Sequence, residues 1–381
     1  METVIFNLND IPLLLVISQC ILLAILLLAI KKGKSRSNQI LSIFLLTIGI
    51  EALDTLISWS ISIKEVYLSD SRHIFFILKF AVFLQGPLIY WYTKSLIYSD
   101  FQLRFKDCRH LILLFIFPFY LALIYKDLGE ENLSLGVWNY EIYFQNTYFR
   151  ILVFAQKIAV LSYGIATIFQ LIQYRERIEN KYSNIENINL NWLKLLVGGF
   201  LLIWVWIFIA PLMHQFGLPS IPHIIGLSGN YFLYLLINAL VLYSLLNTSV
   251  VHGIQSKANN IKAESPEGFE DEQIKRLTDS MTNERYFLEP ELTLEQLAEK
   301  IGLQARLVSS IINRKFEQNF FEFVNYYRVE EAKSLLRNGD KSLSMLDIMA
   351  EAGFNSKSAF NRFFKKYADM TPTQYRNSAG D

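Results

Sequence analysis

Leu297-Ala298-Glu299-Lys300-Ile301-Gly302-Leu303 and, some fifty positions later, Ile348-Met349-Ala350-Glu351-Ala352-Gly353-Phe354 are two copies of one pattern. Each is an apolar helical face that stops at a glycine, and each runs at once into another short amphipathic stretch. A short helix, a glycine turn and a second helix make a helix-turn-helix, whose second helix can enter the major groove of DNA. The surrounding residues extend this layout in both directions. Thr293 with Gln296 three residues on forms a capping box for the first scaffold helix, and Ser344 with Asp347 caps the second. The pattern predicts a first recognition helix from about Gln304 to Arg314, a linking helix over about 320–337, and a second recognition helix from Ser356 to Tyr367. Asn338-Gly339 stops the linking helix, and Thr371-Pro372 starts a last short helix through Arg376. A linking helix of about 17 residues is roughly 25 Å long. Two recognition helices joined through it fit successive major-groove segments, about 34–36 Å apart on one face of a duplex.

Charge in this region is balanced overall and uneven locally. From Tyr286 to the end, acids and bases are nearly equal, which argues against a domain that binds by bulk electrostatics. Lys357, Arg362, Lys365, Lys366 and Arg376, however, are opposed only by Asp369 across the second recognition helix and its exit. Local positive potential is what phosphate contact requires, with strong salt dependence as its signature. In the first recognition helix Arg306, Arg314 and Lys315 are partly offset by Glu317.

Residues 286 to 378 resemble the DNA-binding domain of AraC/XylS-type transcription regulators. The resemblance lies in Leu292-Thr293-Leu294-Glu295-Gln296-Leu297-Ala298, in Tyr327-Arg328-Val329-Glu330-Glu331-Ala332, in the run from Gly353 to Lys366, and in Thr371-Pro372-Thr373-Gln374-Tyr375-Arg376. It covers a quarter of the chain, and several motifs occur in order. It implies promoter DNA as a partner and places base-facing positions at Arg306, Ser309 and Ser310 in the first recognition helix. In the second they fall at Lys357, Ser358 and Arg362, while Asn355, Ser356 and Asn361 act as backbone positioners or caps and Lys365 and Lys366 as phosphate contacts. Three positions depart from the family pattern. Glu317 and Ala368-Asp369 stand where a glycine is usual, and Met349 replaces a common alanine.

Everything before about residue 250 has another character. The 381 residues are 52% hydrophobic and only 19% charged, yet Lys, Arg, Asp and Glu crowd the last third. The net charge of +1 therefore averages two different surroundings. Apolar runs long enough to cross a bilayer fall at about 11–30, 40–62, 74–97, 109–126, 150–173, 192–213 and 225–246. The fourth, short and containing Pro118, is the weakest. The first run lacks the basic start and cleavage site of a signal peptide, so it is expected to remain as a span. Basic residues gather after the first span (Lys31, Lys32, Lys34, Arg36), the third (Lys94, Arg104, Lys106, Arg109) and the fifth (Arg175, Arg177, Lys181, Lys194). The opposite loops carry only Lys64, Arg72 and Lys126, with Arg150 at a boundary. The positive-inside rule then puts the N-terminus outside and the C-terminus in the cytoplasm, where DNA is.

Several polar groups lie inside predicted spans away from their ends, among them Glu51 and Asp54, one helical turn apart, Lys79 and Lys157. A charge at membrane depth costs about 2.5–3.5 kcal/mol and normally faces a partner in the bundle interior. These four are candidates for a signal-binding pocket or a bistable ion-pair switch; structural ion pairing, or snorkelling by Lys157, explains them equally. The aromatic outer loop at 127–149 reads either as an interfacial belt or as part of a ligand mouth. Two cysteines, Cys20 and Cys108, form no disulfide framework, and neither metal-site spacing nor a catalytic constellation is found.

The expected architecture is all-α. Residues 1–247 form a polytopic helical membrane bundle with sensing function, and 248–285 a cytoplasmic linker and helix. Residues 286–381 form a double helix-turn-helix domain. In the linker, Ile274, Leu277 and Met281 make a stripe that either packs onto the next domain or serves as a dimer seam. The expected function is that of a non-enzymatic, cofactor-free, one-component transcription regulator in the inner membrane of a bacterium. Its partners would be double-stranded DNA, the bilayer, an unknown signal ligand or protein and, in some state, a second copy. The rival expectations are a transporter that regulates its own expression, with the intramembrane charges as a relay, and a membrane receptor whose helical domain docks protein.

Overall fold

The computed structural model describes residues 8–29, 35–60, 76–98, 100–185, 191–216, 218, 220–246, 270–338 and 343–378. Among them the chain is all-α, with one isolated antiparallel bridge between Tyr182 and Thr293. It divides into two compact units. One comprises residues 1–171 and 190–256, and the other 172–189 and 257–381. The predicted tether at 248–268 lies outside the described residues.

The first unit is built from α1 (Asp10–Ala29), α2 (Ser35–Trp59), α3 (Phe80–Ile97), α4 (Ile112–Trp138), the short α5 (Glu141–Gln145), α6 (Thr147–Glu179), α7 (Asn191–Gln215) and α8 (Ser220–Leu246). Helix α1 packs against α2 and α8, α2 against α3, and α7 against α8. Six of these segments are long and apolar enough to cross a membrane: Asp10–Ala29, Arg36–Trp59, Phe105–Trp138, Thr147–Glu179, Trp192–Gln215 and Ile221–Leu242. The exception is α3, the third predicted span. It has 18 residues, about 27 Å of helix, carries Gln85, Pro87 and Lys94, and buries most of its residues inside the unit. The weakest segment is therefore the third and not the fourth. The fourth gains length because the chain stays helical to Trp138, with a break at Gly129 (φ 70°, ψ 167°) that admits a residue without Cβ.

Outward faces of this unit are apolar. Phe119 is 77% and Leu202 73% exposed, with Leu22, Ile25, Phe115 and Phe169 exposed in the same way. The segment expected as an outer aromatic loop is mostly helix. Tyr143 and Phe149 are fully buried in a cluster with Phe76, Leu133 and Leu152, and the Tyr143 hydroxyl donates to the Leu133 carbonyl at 2.8 Å. Burial of these rings, which neither a belt nor a mouth anticipates, follows from the helical continuation that brings Gly136 under Tyr143.

The second unit contains α9 (Asp271–Thr282), a 3-10 turn Tyr286–Leu288, α10 (Leu294–Lys300), α11 (Ala305–Lys315), α12 (Phe320–Asn338), α13 (Met345–Glu351), α14 (Lys357–Ala368) and α15 (Pro372–Ser378). It has two cores. Leu277, Met281, Phe287, Leu297, Val308, Ile311 and Phe323 form the first, with Ile274 against it, so the stripe on α9 packs onto the domain. Phe321, Val329, Ala332, Ile348, Phe354, Phe360, Phe363 and Phe364 form the second. Helix α12 gives Phe320, Phe323 and Val324 to one core and Phe321, Val329 and Leu336 to the other. Each module thus buries its own apolar face, and one helix joins them.

Candidate functional site

Both turns of the repeated pattern form as the residues dictate. Thr293 Oγ1 accepts from the Gln296 amide at 3.2 Å while the Gln296 side chain accepts from the Thr293 amide at 2.9 Å. Ser344 and Asp347 make the matching pair ahead of α13. Gly302 and Gly353 close the two scaffold helices in the left-handed region, at φ 67° and 81°. Their surroundings differ. A Cβ on Gly302 would meet open space, whereas one on Gly353 would stand 2.8 Å from Leu288 Cα and from the Phe287 carbonyl oxygen.

Helix α14 is capped by Ser356, whose Oγ accepts from the Ala359 amide at 3.3 Å. It buries Ala359, Phe360, Phe363 and Phe364, so Lys357, Ser358, Asn361, Arg362 and Lys365 share the opposite, exposed face. Lys357 and Lys365 form no ion pair among the described residues. The Arg362 guanidinium lies over the Phe321 and Phe363 rings, 5.5 and 5.1 Å from their centroids. Ring stacking uses its faces and leaves its in-plane donors in the fork that matches a guanine edge. Two residues of the predicted positive surface and one predicted backbone positioner are engaged elsewhere. Lys366 is paired with Glu322 of α12 at 2.6 Å, a counter-charge distant in sequence. Arg376 is half-buried and donates to the Leu343 carbonyl at 2.9 Å, which ties α15 to the start of α13. Asn355 is exposed, but its amide donates to Glu291 at 2.6 Å. In α11, Arg306, Arg314 and Lys315 are exposed, and Ser309 and Ser310 are half-buried beside Val308 and Ile311.

Arg328, which sequence reasoning treated only as part of a motif, is the centre of the second unit. It is 1% exposed. Its Nε donates to the Phe287 carbonyl at 2.7 Å, and Nη2 donates to the Glu289 and Pro290 carbonyls at 2.7 and 3.3 Å. Burial lowers its pKa to about 10, with Glu291 acting the other way, so it stays charged at neutral pH.

In the first unit the four intramembrane candidates gather around one cavity of about 520 Å³. Lys79 Nζ meets Asp54 Oδ2 at 2.8 Å. Lys157 Nζ stands 3.6 Å from Glu51 Oε1, beyond a hydrogen bond, and the other Glu51 oxygen accepts from Gln85 at 2.7 Å. Trp59, Trp138, Tyr140 and Phe144 supply aromatic walls. Two further lining residues pair with each other. His214 Nε2 lies 2.8 Å from Glu141 Oε2, and the imidazole stacks on Phe144 with centroids 4.3 Å apart. His214, in the last turn of α7, and Glu141 are 73 positions apart in the sequence.

Comparison with known proteins bears on the second unit. Residues 297–378 match the family model described as a helix-turn-helix domain. The melibiose operon regulatory protein of Escherichia coli K12 is 36% identical over 85 residues, which are 22% of this chain and 28% of that protein. The uncharacterized HTH-type transcriptional regulator YtdP of Bacillus subtilis 168 is 32% identical over 107 residues, 28% of this chain and 14% of that protein. Among solved structures, the C-terminal domain of the two-component response regulator yesN from Fusobacterium nucleatum is 28% identical. It covers 28% of this chain and 98% of that one, with a TM-score of 0.25. The chain thus spans under a third of the length of these two curated relatives. With its paired scaffold and recognition helices and its linking helix α12, the C-terminal region carries a helix-turn-helix domain of the AraC type.

Proposed function

We propose that the protein is a transcription regulator embedded in a membrane, whose C-terminal domain binds promoter DNA under the control of its N-terminal unit. The single observation that carries the DNA reading is the exposed face of α14, where Lys357, Ser358, Asn361, Arg362 and Lys365 stand side by side. In this reading Lys357, Ser358 and Arg362 address base edges, and Lys365 with α11 residues Arg306, Ser309 and Ser310 completes the contact. Asn355 and Lys366 join it by leaving Glu291 and Glu322, an exchange of one anionic partner for a phosphate. One relative is named an operon regulatory protein and another an HTH-type transcriptional regulator, which supports the same assignment.

Membrane embedding is supported by the six apolar helices and by large apolar side chains on their outer faces, which in water would be a large unpaired hydrophobic surface. With α3 counted as a seventh crossing, the basic residues Lys94, Arg104, Lys106, Arg109, Arg175, Arg177 and Lys181 support a cytoplasmic side for the domain. We assign residues 1–247 to the membrane region, 248–285 to the linker and 286–381 to DNA binding. The signal is read at the cavity, where Glu51 and Lys157 form an open pair that a ligand carrying both an ammonium and a carboxylate can enter. Asp54 and Lys79, which also line the cavity, form a closed pair.

Genome-wide DNA capture tests the DNA assignment. Full-length protein is expected to enrich discrete sites, and a Lys357→Ala, Arg362→Ala variant to lose them. Equal enrichment by the variant overturns it. The transporter alternative draws on the same cavity; it predicts substrate uptake that Lys157→Ala abolishes while site enrichment is unchanged.

A further inference from the structure

Residues 178–185 lie in sequence between two apolar helices, yet they are part of the DNA-binding unit. Tyr182 pairs antiparallel with Thr293, the N-cap of α10: the Ser183 amide donates to the Leu292 carbonyl at 3.1 Å, and the Leu294 amide to the Lys181 carbonyl at 2.9 Å. Lys181 Nζ is 3.4 Å from Glu295. Ser183 is buried beneath α12. Its carbonyl accepts from Asn325 Nδ2 at 3.0 Å and from Arg328 Nη1 at 3.4 Å, and its hydroxyl accepts from Arg328 Nη2 at 3.2 Å. Asn184 donates to Glu291 Oε1 at 3.0 Å, the same oxygen that accepts from Asn355 at the entry to α14. Ile185 packs on the core of the second module. One turn earlier, Glu179 accepts from Asn319 at 3.5 Å, where the Asn319 side chain caps α12.

One short segment therefore touches the first module at Leu292–Leu294, the linking helix at Asn319, Asn325 and Arg328, and the second module at Ile185 and, through Glu291, at Asn355. The two modules have separate cores, and besides α12 they meet where the 287–291 segment packs on Gly353 and holds Asn355, so the bracing of that segment bears on the angle between α11 and α14. Binding of both recognition helices to one duplex depends on that angle. The segment is continuous with α6, whose first part belongs to the apolar unit and whose last turns belong to this one.

We infer that residues 179–185 are an internal clasp that sets the relative orientation of the two DNA-reading modules, and that α6 is the element through which the apolar unit acts on it. This rests on the DNA-binding reading above. A displacement of the end of α6 pulls on Ser183 and Asn184 together. It loosens Arg328 from one of its partners and Asn355 from the shared Glu291. Control thus enters through the turn between two spans rather than through the chain that follows the last one. No reshaping of either helix-turn-helix is required, because the buried residues of both cores lie outside the clasp, which adds only the partly buried Ile185.

The bridge supplies its own test. Tyr182 and Thr293 form a non-hydrogen-bonded antiparallel pair, whose Cα atoms stand about 4.5 Å apart, within disulfide reach. In full-length Cys108→Ser protein in lipid nanodiscs, Tyr182→Cys with Thr293→Cys is expected to cross-link nearly completely on mild oxidation, read by peptide mass spectrometry. Fragments captured by the wild type serve as the DNA probe. Oxidised and reduced forms of the same variant are expected to differ at least tenfold in affinity, a comparison from which the lost Thr293 cap cancels. A second variant, Ser183→Gly with Asn184→Ala, leaves both cores intact and is expected to shift affinity in the direction of the reduced form. Failure to cross-link overturns the clasp whatever the protein does with DNA. Cross-linking with less than a twofold change in affinity overturns its control of DNA binding. Absence of DNA binding by the wild type refutes the DNA reading instead, and the cross-link yield then still reports on the clasp.

Discussion

Replacing Arg328 by leucine removes the one buried cation among the described residues of the second unit, together with its donors to Ser183, Phe287, Glu289 and Pro290. The carbonyls of 287, 289 and 290 lie in the segment that bridges the two modules, and no leucine can satisfy them. Hydrogen bonds to a charged group contribute about 1.5–3 kcal/mol each, and a buried acceptor left unpaired costs about 1–3 kcal/mol. Shared acceptors and relaxation make these non-additive, and about 3–5 kcal/mol is expected in total. That is a large part of the stability of a domain this size. At about 1.4 kcal/mol per tenfold change, amide hydrogen exchange in α12 and α14 should accelerate by roughly two to four orders of magnitude. Exchange is the suitable assay because all six tryptophans belong to the first unit and fluorescence does not see this domain. Arg328→Lys, a point cation without the planar fork, should fall between the wild type and the leucine variant. Exchange within threefold of the wild type in Arg328→Leu would refute the assignment of Arg328 as the centre of the fold.

The paired turn glycines make a sharper comparison. Gly302→Ala should cost only the left-handed backbone, about 1–2 kcal/mol, whereas Gly353→Ala adds a Cβ against Leu288 and Phe287 backbone and should cost about 2–4 kcal/mol; equal losses by exchange would contradict the packing described. Glu317, at φ 53°, occupies a conformation that glycine adopts freely, so Glu317→Gly should stabilise the domain by about 0.5–1 kcal/mol, and a slower exchange of α11 amides checks it. In the first unit, Asp54→Leu leaves Lys79 without its 2.8 Å partner and should destabilise by about 3 kcal/mol, while adding Lys79→Met should restore most of it. Tryptophan-detected thermal unfolding in detergent reads both variants.

How much of this was legible in the residues varies by region. Turn chemistry and short-range caps were readable in full: Thr293 with Gln296, Ser344 with Asp347, and the glycines at 302 and 353 all act within four residues of their partners. Helical periodicity likewise placed Leu277 and Met281 in the first core. The third predicted span, α3, falls short of the other six as an apolar run because Gln85, Pro87 and Lys94 interrupt it. Charges were the least predictable part. Glu322 beside Lys366 comes from another element, so the positive surface counted along α14 is smaller than the sequence suggested, and Glu291, the partner of Asn355, is 64 positions away. The docking of Tyr182 and Ser183 left no local trace at all, since one bridge needs only backbone and a small polar side chain.

The most direct test of the central claim is the salt-dependent affinity of full-length protein in nanodiscs for its captured genomic sites, compared with Lys357→Ala, Arg362→Ala and Lys365→Ala variants. Loss of a base-directed pair should cost about 1–3 kcal/mol at cognate sites and leave non-specific DNA much less affected. Loss of Lys365 should weaken all sequences alike and lower the salt slope by about one. Identical affinities and slopes for all four proteins would contradict the assignment of α14 as the reading helix.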